Sequence, residues 1–514
     1  MKKELEKIEN IEKRKISFGE KLSLKLRKGI IGNKLKTILL ILIVICAFIA
    51  INMWAEKNNL HQIDLTENKH YTLSQTSKDI IKDINKEVTI YIYGYDENTT
   101  YVNFLKQYNA CNPNIKYEIV TETTHYDIIT EYNMGYYDPY SYNILNKNEI
   151  VVVSDIADVS LSVYDFETAE YVNGVVQNID VTEELLTNAI IKVTDEDPSK
   201  IYFVSGHGEF SEDEISQLLD YLKLSVYEYE FINLFSATEI PADCDILAIL
   251  GPTADYTIGE AEAIKKYINN GGNIMAAIVT FDREGQFPNL QSILDLYAVT
   301  IQDCMLYDTN PSNYYAISNQ AAPMVLLPNY SSVTEITNKI EYASIFSMVQ
   351  AININYDKIE ELKVTPQELL FTSTKTYNIL DYKGFNGEIN LDNLTPDVYI
   401  FGRILTKTIP SVEEGIPAKE SKLIIVGNDT FLADYDTLIR DYPISYNGNM
   451  EFTMNCFKYL SNKENTLEIH KNIEISTFTA TAKQDNVVKF IVFSLPIIII
   501  LIGIVIAFIR KRMR

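Results

Sequence analysis

Apolar positions recur along this chain with two different periods, and the alternation between them predicts most of the architecture. Residues 87–93, EVTIYIY, alternate Val88, Ile90 and Ile92 with Thr89, Tyr91 and Tyr93, the period-two pattern of a half-buried strand. Residues 180–197, DVTEELLTNAIIKVTDED, instead set Leu185, Leu186, Ala189, Ile190 and Val193 on one helical face. Thr72 or Ser74 can cap a preceding helix that carries Ile80, Ile81 and Ile84. A helix over about 101–109, a strand over 115–120, a Tyr- and Asn-rich loop and a strand in EIVVVSD complete a mixed α/β N-terminal domain, residues 85–197.

After Pro198 and Ser199 the strands become continuous apolar runs. In YFVSGHGEF, residues 201–204 read as a buried strand, Ser205 closes it, and Gly206 and Gly208 permit a tight turn around His207 before Glu209. Ser211 with Glu214 forms a capping box that would open a helix in SEDEISQLLDYL. DILAIL at 245–250 is a second buried strand, and Gly251, Pro252 and Thr253 turn the chain. IGEAEAIKKYINNGG follows as a helix with Ala261, Ile264 and Ile268 inward and Gly271 and Gly272 at its end. NIMAAIV at 273–279, a helix in NLQSILDLYA and a late strand KLIIVG ending at Gly427 predict a parallel, Rossmann-like sheet within residues 198–465. MVLLP, LLFTSTKTYNI and DVYIFGRIL read as strands of an irregular insertion at about 305–420, and residues 449–461 as a helix.

Two stretches are too apolar to belong to either domain. Residues 37–55 and 490–509 carry no charge and are long enough to cross a bilayer. The 36 residues before the first argue for a retained anchor over a cleaved signal peptide, and Pro496 is tolerable in a membrane helix. Residues 1–36 hold twelve Lys or Arg against five Glu and residues 510–514 read RKRMR, so both tails are expected to be cytoplasmic. The tail could also lie on the membrane as an amphipathic helix, although the basic flank of an anchor explains it more simply. The chain would then hold an extracytoplasmic body between a juxtamembrane segment, 56–84, and a membrane-proximal segment, 466–489. With +7 and +4 on the tails, the total of −25 leaves −36 on residues 56–489, which excludes a nucleic-acid-binding face.

Candidate chemistry is sparse. The turn at Gly206 and Gly208 could cradle a phosphate, but Glu209, Glu212, Asp213 and Glu214 crowd the position an anion would take, and Glu209 reads as a helix N-terminal acid. No Walker A, H-E-x-x-H, G-x-S-x-G or C-x-x-C sequence occurs, so no catalytic residue, cofactor or metal is assigned. His207 is one of five histidines, and a hydrogen-bonding role that fixes the turn accounts for it. Cys111, Cys244, Cys304 and Cys456 match no zinc spacing; one bridge or buried free thiols remain open.

The stretches IDLTENKHYTLS (63–74), EELLTNAIIKVTD (183–195), YFVSGHGE (202–209), ILAILGPTADYTIGEAEAIKKYINNGGNIM (246–275) and LIIVGNDTFLAD (423–434), the last containing Gly427 and Asp429, resemble the GldG-like auxiliary subunits of ABC-2 type transporters. That resemblance implies Rossmann-related domains on a membrane anchor and, as partners, an ABC-2 type permease and a separate ABC ATPase, with membrane lipid around the anchors. It implies a non-catalytic extracytoplasmic auxiliary subunit. The rival readings are an anchored extracellular hydrolase acting on a wall polymer or glycan through His207 and Glu209, and a cell-surface scaffold. A cleft gathering three or more titratable groups around His207 would favour the hydrolase.

Overall fold

The computed structural model describes residues 71–461 apart from 98, 137–147, 173–174, 279–286, 318–319, 332–335, 338–339, 341–342, 381, 383–388, 412–416 and 435–447, together with 471–472 and Ile43, Cys46, Ile49 and Ala50. The chain divides into two compact units, Met1–His70 and Tyr71–Arg514. Of the first, only those four helical residues are described. The rest of the expected membrane segment at 37–55, the segment at 490–509, both basic tails and most of 466–489 lie outside the described residues. Among the described residues, no helix is long and apolar enough to cross a membrane.

The second unit begins with α1 (Gln75–Lys82), β1 (Val88–Tyr93), α2 (Thr100–Cys111), β2 (Ile115–Val120), α3 (Tyr126–Glu131), β3 (Ile150–Val153) and β4 (Asp158–Leu161). The strands form one sheet in the order β2-β1-β3-β4, with β1 parallel to β2 and antiparallel to β3. The alternation of β1 is used on both faces. Val88, Ile90 and Ile92 enter the core with Val102, Phe104, Leu105 and Tyr108 of α2, while Tyr91 and Tyr93 pack with Ile128 and Ile129 of α3. Ser74 caps α1 through its hydroxyl, which accepts from the Ser77 N–H at 3.1 Å, and Leu73 and Ile81 join the same core. A hairpin of β5 (Glu167–Val172) and β6 (Val175–Asp180) leads into α4 (Thr182–Lys192), and each residue of α4 through Ile191 is buried. Leu185, Leu186, Ala189 and Ile190 face this first core, whereas Ile191 belongs to the next.

That next layer contains β7 (Lys200–Ser205), α5 (Ser216–Leu224), β8 (Glu228–Asn233), β9 (Ile246–Leu250), α6 (Ile258–Asn269), β10 (Asn273–Ala277) and α7 (Pro288–Leu294). There follow β11 (Val299–Ile301), β12 (Met305–Asp308), β13 (Tyr314–Ile317), β14 (Gln320–Leu326), β15 (Asn329–Tyr330), β16 (Phe346–Ser347), β17 (Ile352–Ile354), α8 (Ile359–Leu362), β18 (Val364–Phe371), β19 (Thr376–Ile379), β20 (Ile400–Ile409), β21 (Lys419–Val426), α9 (Asn449–Ser461) and β22 (Lys471–Asn472). An eight-stranded sheet runs β15-β18-β20-β21-β10-β9-β7-β8. Its strands β7, β8, β9, β10 and β21 are mutually parallel. Counted one to five along the chain, they stand in the order 2-1-3-4-5, not the 3-2-1-4-5 of dinucleotide-binding Rossmann domains. β20, β18 and β15 extend the sheet antiparallel, so the expected all-parallel sheet is in fact mixed.

Both faces of this sheet are covered. Leu218, Leu219 and Leu222 of α5 and Phe452, Phe457 and Leu460 of α9 meet Ile201, Phe203, Ala248 and Met275 on one face. Ala261, Ile264 and Ile268 of α6 and Leu290, Ile293 and Leu294 of α7 meet Tyr202, Val204, Leu247 and Ile249 on the other. All five residues of β9 are therefore buried, which is why DILAIL shows no alternation.

Two expectations are corrected here. The stretch 305–420 is not wholly an insertion, because β18 and β20 are strands of the central sheet; only short antiparallel pairings, β12 with β19, β13-β14-β16 and the partners β11 and β17, stand apart from it. The capping box of Ser211 and Glu214 forms, with the Ser211 N–H donating to Oε2 of Glu214 at 2.8 Å, but it opens only a 3₁₀ turn, Glu212–Glu214. α5 starts at Ser216 and is capped from afar. The Asp434 carboxylate accepts from the Ser216 hydroxyl at 2.6 Å and the Gln217 N–H at 3.2 Å.

Candidate functional site

In a sheet of order 2-1-3-4-5 the chain leaves the first and third strands toward opposite faces, and the crevice between their carboxyl ends is where doubly wound proteins place ligands. Here those strands are β7 and β9, and the loops that follow them are GHGE and GPT. Ser205 closes β7 with its hydroxyl donating to the Ile232 carbonyl at 3.2 Å. The carbonyl of His207 accepts from the N–H groups of Thr253 and Ala254, both at 2.8 Å, so the two loops are bonded directly together. Gly208, with φ +77°, sits where a Cβ would lie 1.8 Å from Oγ1 of Thr253. Gly251 donates to the Ala277 carbonyl at 2.8 Å, and a Cβ there would lie 2.9 Å from a carboxylate oxygen of the buried Asp429.

Four ionisable side chains meet above this junction. Glu209 accepts from the His207 N–H at 2.6 Å through Oε2 and from the Tyr256 hydroxyl at 2.8 Å through Oε1. The imidazole of His207 rests on the Tyr256 ring with centroids 4.6 Å apart. Its Nε2 lies 3.1 Å from Oε2 of Glu260, and its Nδ1 lies 3.8 Å from Oε1 of Glu209. Oε2 of Glu260 also accepts from the N–H and hydroxyl of Thr257, both at 2.7 Å, completing the capping box that begins α6. The two carboxylate side chains are 1% and 3% exposed and that of His207 13%. Burial, and next the Glu209 charge, hold the Tyr256 phenol well above its usual range, so it serves as a donor. Among the described residues, the His207 ring is the one basic side chain within 4 Å of either carboxylate.

Ser205, Gly206, His207, Gly208, Glu209, Gly251, Pro252 and Asp429 are thus gathered at one end of the sheet. Gly206, with φ +116°, packs against the Asn233 side chain at the end of β8. Gly427 lies at the same end, two strands from β9, where its N–H donates to Phe401 and its carbonyl accepts from Gln350. Gly271 and Gly272 do not join them; they end α6 at the opposite, amino end of the sheet, where their N–H groups bond the carbonyls of Ile268 and Tyr267. Glu209 is not a helix N-terminal acid: its carboxylate folds back on its own turn and occupies the backbone N–H that a phosphate would need.

Tyr256, Glu260 and Asp434 were not singled out from the sequence. For Glu260 a signal was present, since Thr257 and Glu260 have capping-box spacing. Among the described residues, no group of His, Cys, Asp and Glu could hold a metal ion. Cys111, Cys244, Cys304 and Cys456 are all free of disulfides; burial pushes the Cys244 thiol up to about 12 and that of Cys304 to about 11.

A family model described as ABC-type uncharacterized transport system matches residues 198–456, half of the chain, and the protein belongs to that family of transport-associated accessory proteins. A second model, a domain of unknown function, matches residues 67–153. No curated protein matches. A solved structure titled mmIFT52 N-terminal domain is similar at 14% identity over 53% of this chain and 100% of that one, with a TM-score of 0.34.

Proposed function

We propose that the protein is a non-catalytic, membrane-anchored accessory subunit of an ABC-2 type transport complex, with its body outside the cytoplasm and a separate permease and ATPase as partners. The observation that carries this reading is the family match over residues 198–456, which takes in the whole junction of GHGE and GPT loops. The charge pattern supports the topology: basic tails flank both apolar segments, and the body between them is acidic. In this reading residues 85–197 and 198–465 are the two domains of the body, the second Rossmann-related. The chemistry at His207 supports a structural use, because Glu209 and Glu260 are almost wholly buried and bonded to their own loops. A general base must reach a substrate proton within about 3 Å or through one water.

The hydrolase reading keeps one observation in its favour, the convergence of Glu209, Tyr256 and Glu260 on His207. Purification of the full chain from native membranes in mild detergent separates the two. Recovery of a multispan permease and an ATPase with it is the expected result. Recovery of the chain alone, with hydrolysis of a wall polymer that His207→Ala abolishes, would establish the enzyme instead.

A further inference from the structure

A row of aromatic rings closes the carboxyl end of β1. Tyr93 meets Tyr136 edge-on with centroids 5.4 Å apart, Tyr136 meets Tyr95 at 6.4 Å, Tyr95 meets Tyr101 at 5.5 Å, and Tyr101 tilts onto Phe166 at 5.4 Å. Two tyrosines on this edge face solvent: Tyr136 is 58% exposed, and Tyr164, on the 3₁₀ turn Val163–Phe166, is 63% exposed. Asp96, Glu97, Glu122 and Glu167 are exposed around them, and the Tyr93 hydroxyl donates to Glu122 at 3.1 Å. Aromatic faces ringed by carboxylates attract lysine and arginine, through the ring quadrupole and through charge.

The chain enters and leaves the described body beside this edge. The Ser74 N–H donates to Glu183 at 2.6 Å, and Lys471 pairs with Asp180 across β22 and β6, so one connection runs to the first turn of α4 and the other to the strand end just before it. Tyr108, whose hydroxyl donates to the Glu183 carbonyl at 3.1 Å, lies two turns along α2 from Tyr101, a separation of about 10 Å at 1.5 Å per residue. From these points 18 residues (56–73) and 17 residues (473–489) lead to the two apolar segments.

We infer that the edge of Tyr136, Tyr95, Tyr101 and Tyr164 is the surface by which this chain docks on the extracytoplasmic side of a membrane-embedded protein partner that presents lysine or arginine among apolar groups. The inference rests on the accessory-subunit reading above. Anionic lipid is the poorer occupant, since the flanking carboxylates repel it. The test uses the full chain in native membranes, with a photo-crosslinking side chain introduced at Tyr136 or Tyr164 and, as remote exposed positions, at Phe235 or Tyr356, which are 80% and 61% exposed. Adducts from 136 and 164, but not from 235 or 356, to the multispan protein that co-purifies are the expected result. A chain carrying Tyr164→Ser with Glu167→Lys should recover about tenfold less of that partner with its own melting unchanged. If co-purification holds but adducts form with lipid alone, or with the partner only from 235 or 356, the docking edge is wrong while the accessory reading stands. If the unsubstituted chain brings down no transport component, both fall.

Discussion

At the carboxyl end of the central sheet carboxylates are buried and shared between loops; at the amino end the acids that pair with Lys200 stay in water. Glu209 and Glu260 are taken out of solvent around His207, and the glycines beside them exist to let loops touch. At the other end Lys200 reaches Glu230 at 2.5 Å and Asp243 at 3.1 Å, both acids more than half exposed, while Gly271 simply turns the chain out of α6. Removing an ion from water costs several kcal/mol unless a partner returns it, whereas an exposed pair gains or loses little. The same residue types therefore carry unequal weight, and the two ends should respond unequally to equal changes.

Alanine scanning of glycines gives the largest expected contrast. A Cβ at Gly427 would stand 2.1 Å from the carbonyl oxygen of Gln350, a backbone atom that cannot rotate away. Gly427→Ala should lower stability by about 3–5 kcal/mol, and Gly208→Ala by about 2–4, since the Thr253 side chain can turn but the positive φ remains. Gly271→Ala, with φ +95° and its nearest neighbour at 3.3 Å, should cost about 1 kcal/mol. Equal losses at Gly427 and Gly271 in denaturant melts would remove the distinction between the ends.

His207→Ala comes next. It removes the ring that lies 3.1 Å from the buried Glu260 carboxylate and rests on Tyr256, and should cost about 1–3 kcal/mol, the range for depriving a buried polar group of its partner. If His207→Ala melts with the parent protein, the carboxylates are satisfied without the ring.

From the sequence the turn at His207 was legible but its partners were not, and the reason is general to this chain. β7, β9, β10 and β21 were legible because a strand buried on both faces is a run of apolar residues. β20 was legible as a strand in DVYIFGRIL but not as a member of this sheet, because IFGRILTKTI carries Arg403 and Lys407, which are buried yet bonded to backbone carbonyls of Ile352, and of Leu296 and Leu362. Nothing local announces that such a cation has carbonyls waiting about 50 to 110 residues away, and buried charges are rare without partners. The candidate site divides in the same way. GHGE and GPT stand out as glycine turns after apolar runs, but the partner of His207 comes from α6 and the cap of α5 from Asp434, and both depend on the strand order.

Alkaline pH reads a thiol that the amino end buries besides Lys407: Cys244 precedes β9 and meets the Tyr267 hydroxyl, with its pKa pushed up to about 12 by burial. An unfolded thiol titrates near 8.5, so the unfolded chain sheds its proton first as pH rises. The stability this group contributes is complete below about pH 8.5 and is lost progressively toward pH 12, amounting to about 1 kcal/mol by pH 9.5. Cys244→Ala should flatten the melting temperature between pH 8 and 10. A slope unchanged by that substitution would assign the alkaline loss to other groups, the buried tyrosines first.

The smallest effect belongs to the surface pair at the amino end. The Lys200 charge holds the Asp243 carboxyl below its usual range, which by linkage is stability present above the unfolded carboxylate value and lost as the pH falls through and below it. Asp243 is largely in water, however, and Lys200 keeps Glu230 when Asp243 is neutralised, so screening and the second acid absorb most of the change. Asp243→Asn should cost no more than about 0.5 kcal/mol at low salt and nothing measurable at 1 M salt, where the Debye length falls to about 3 Å. The hydroxyl of Tyr202, which donates to Asp243 at 3.2 Å, can still bond the amide oxygen, leaving the end of β7 in register. A loss that rivals His207→Ala and persists in salt would mean that the amino end, too, stores its charge out of water.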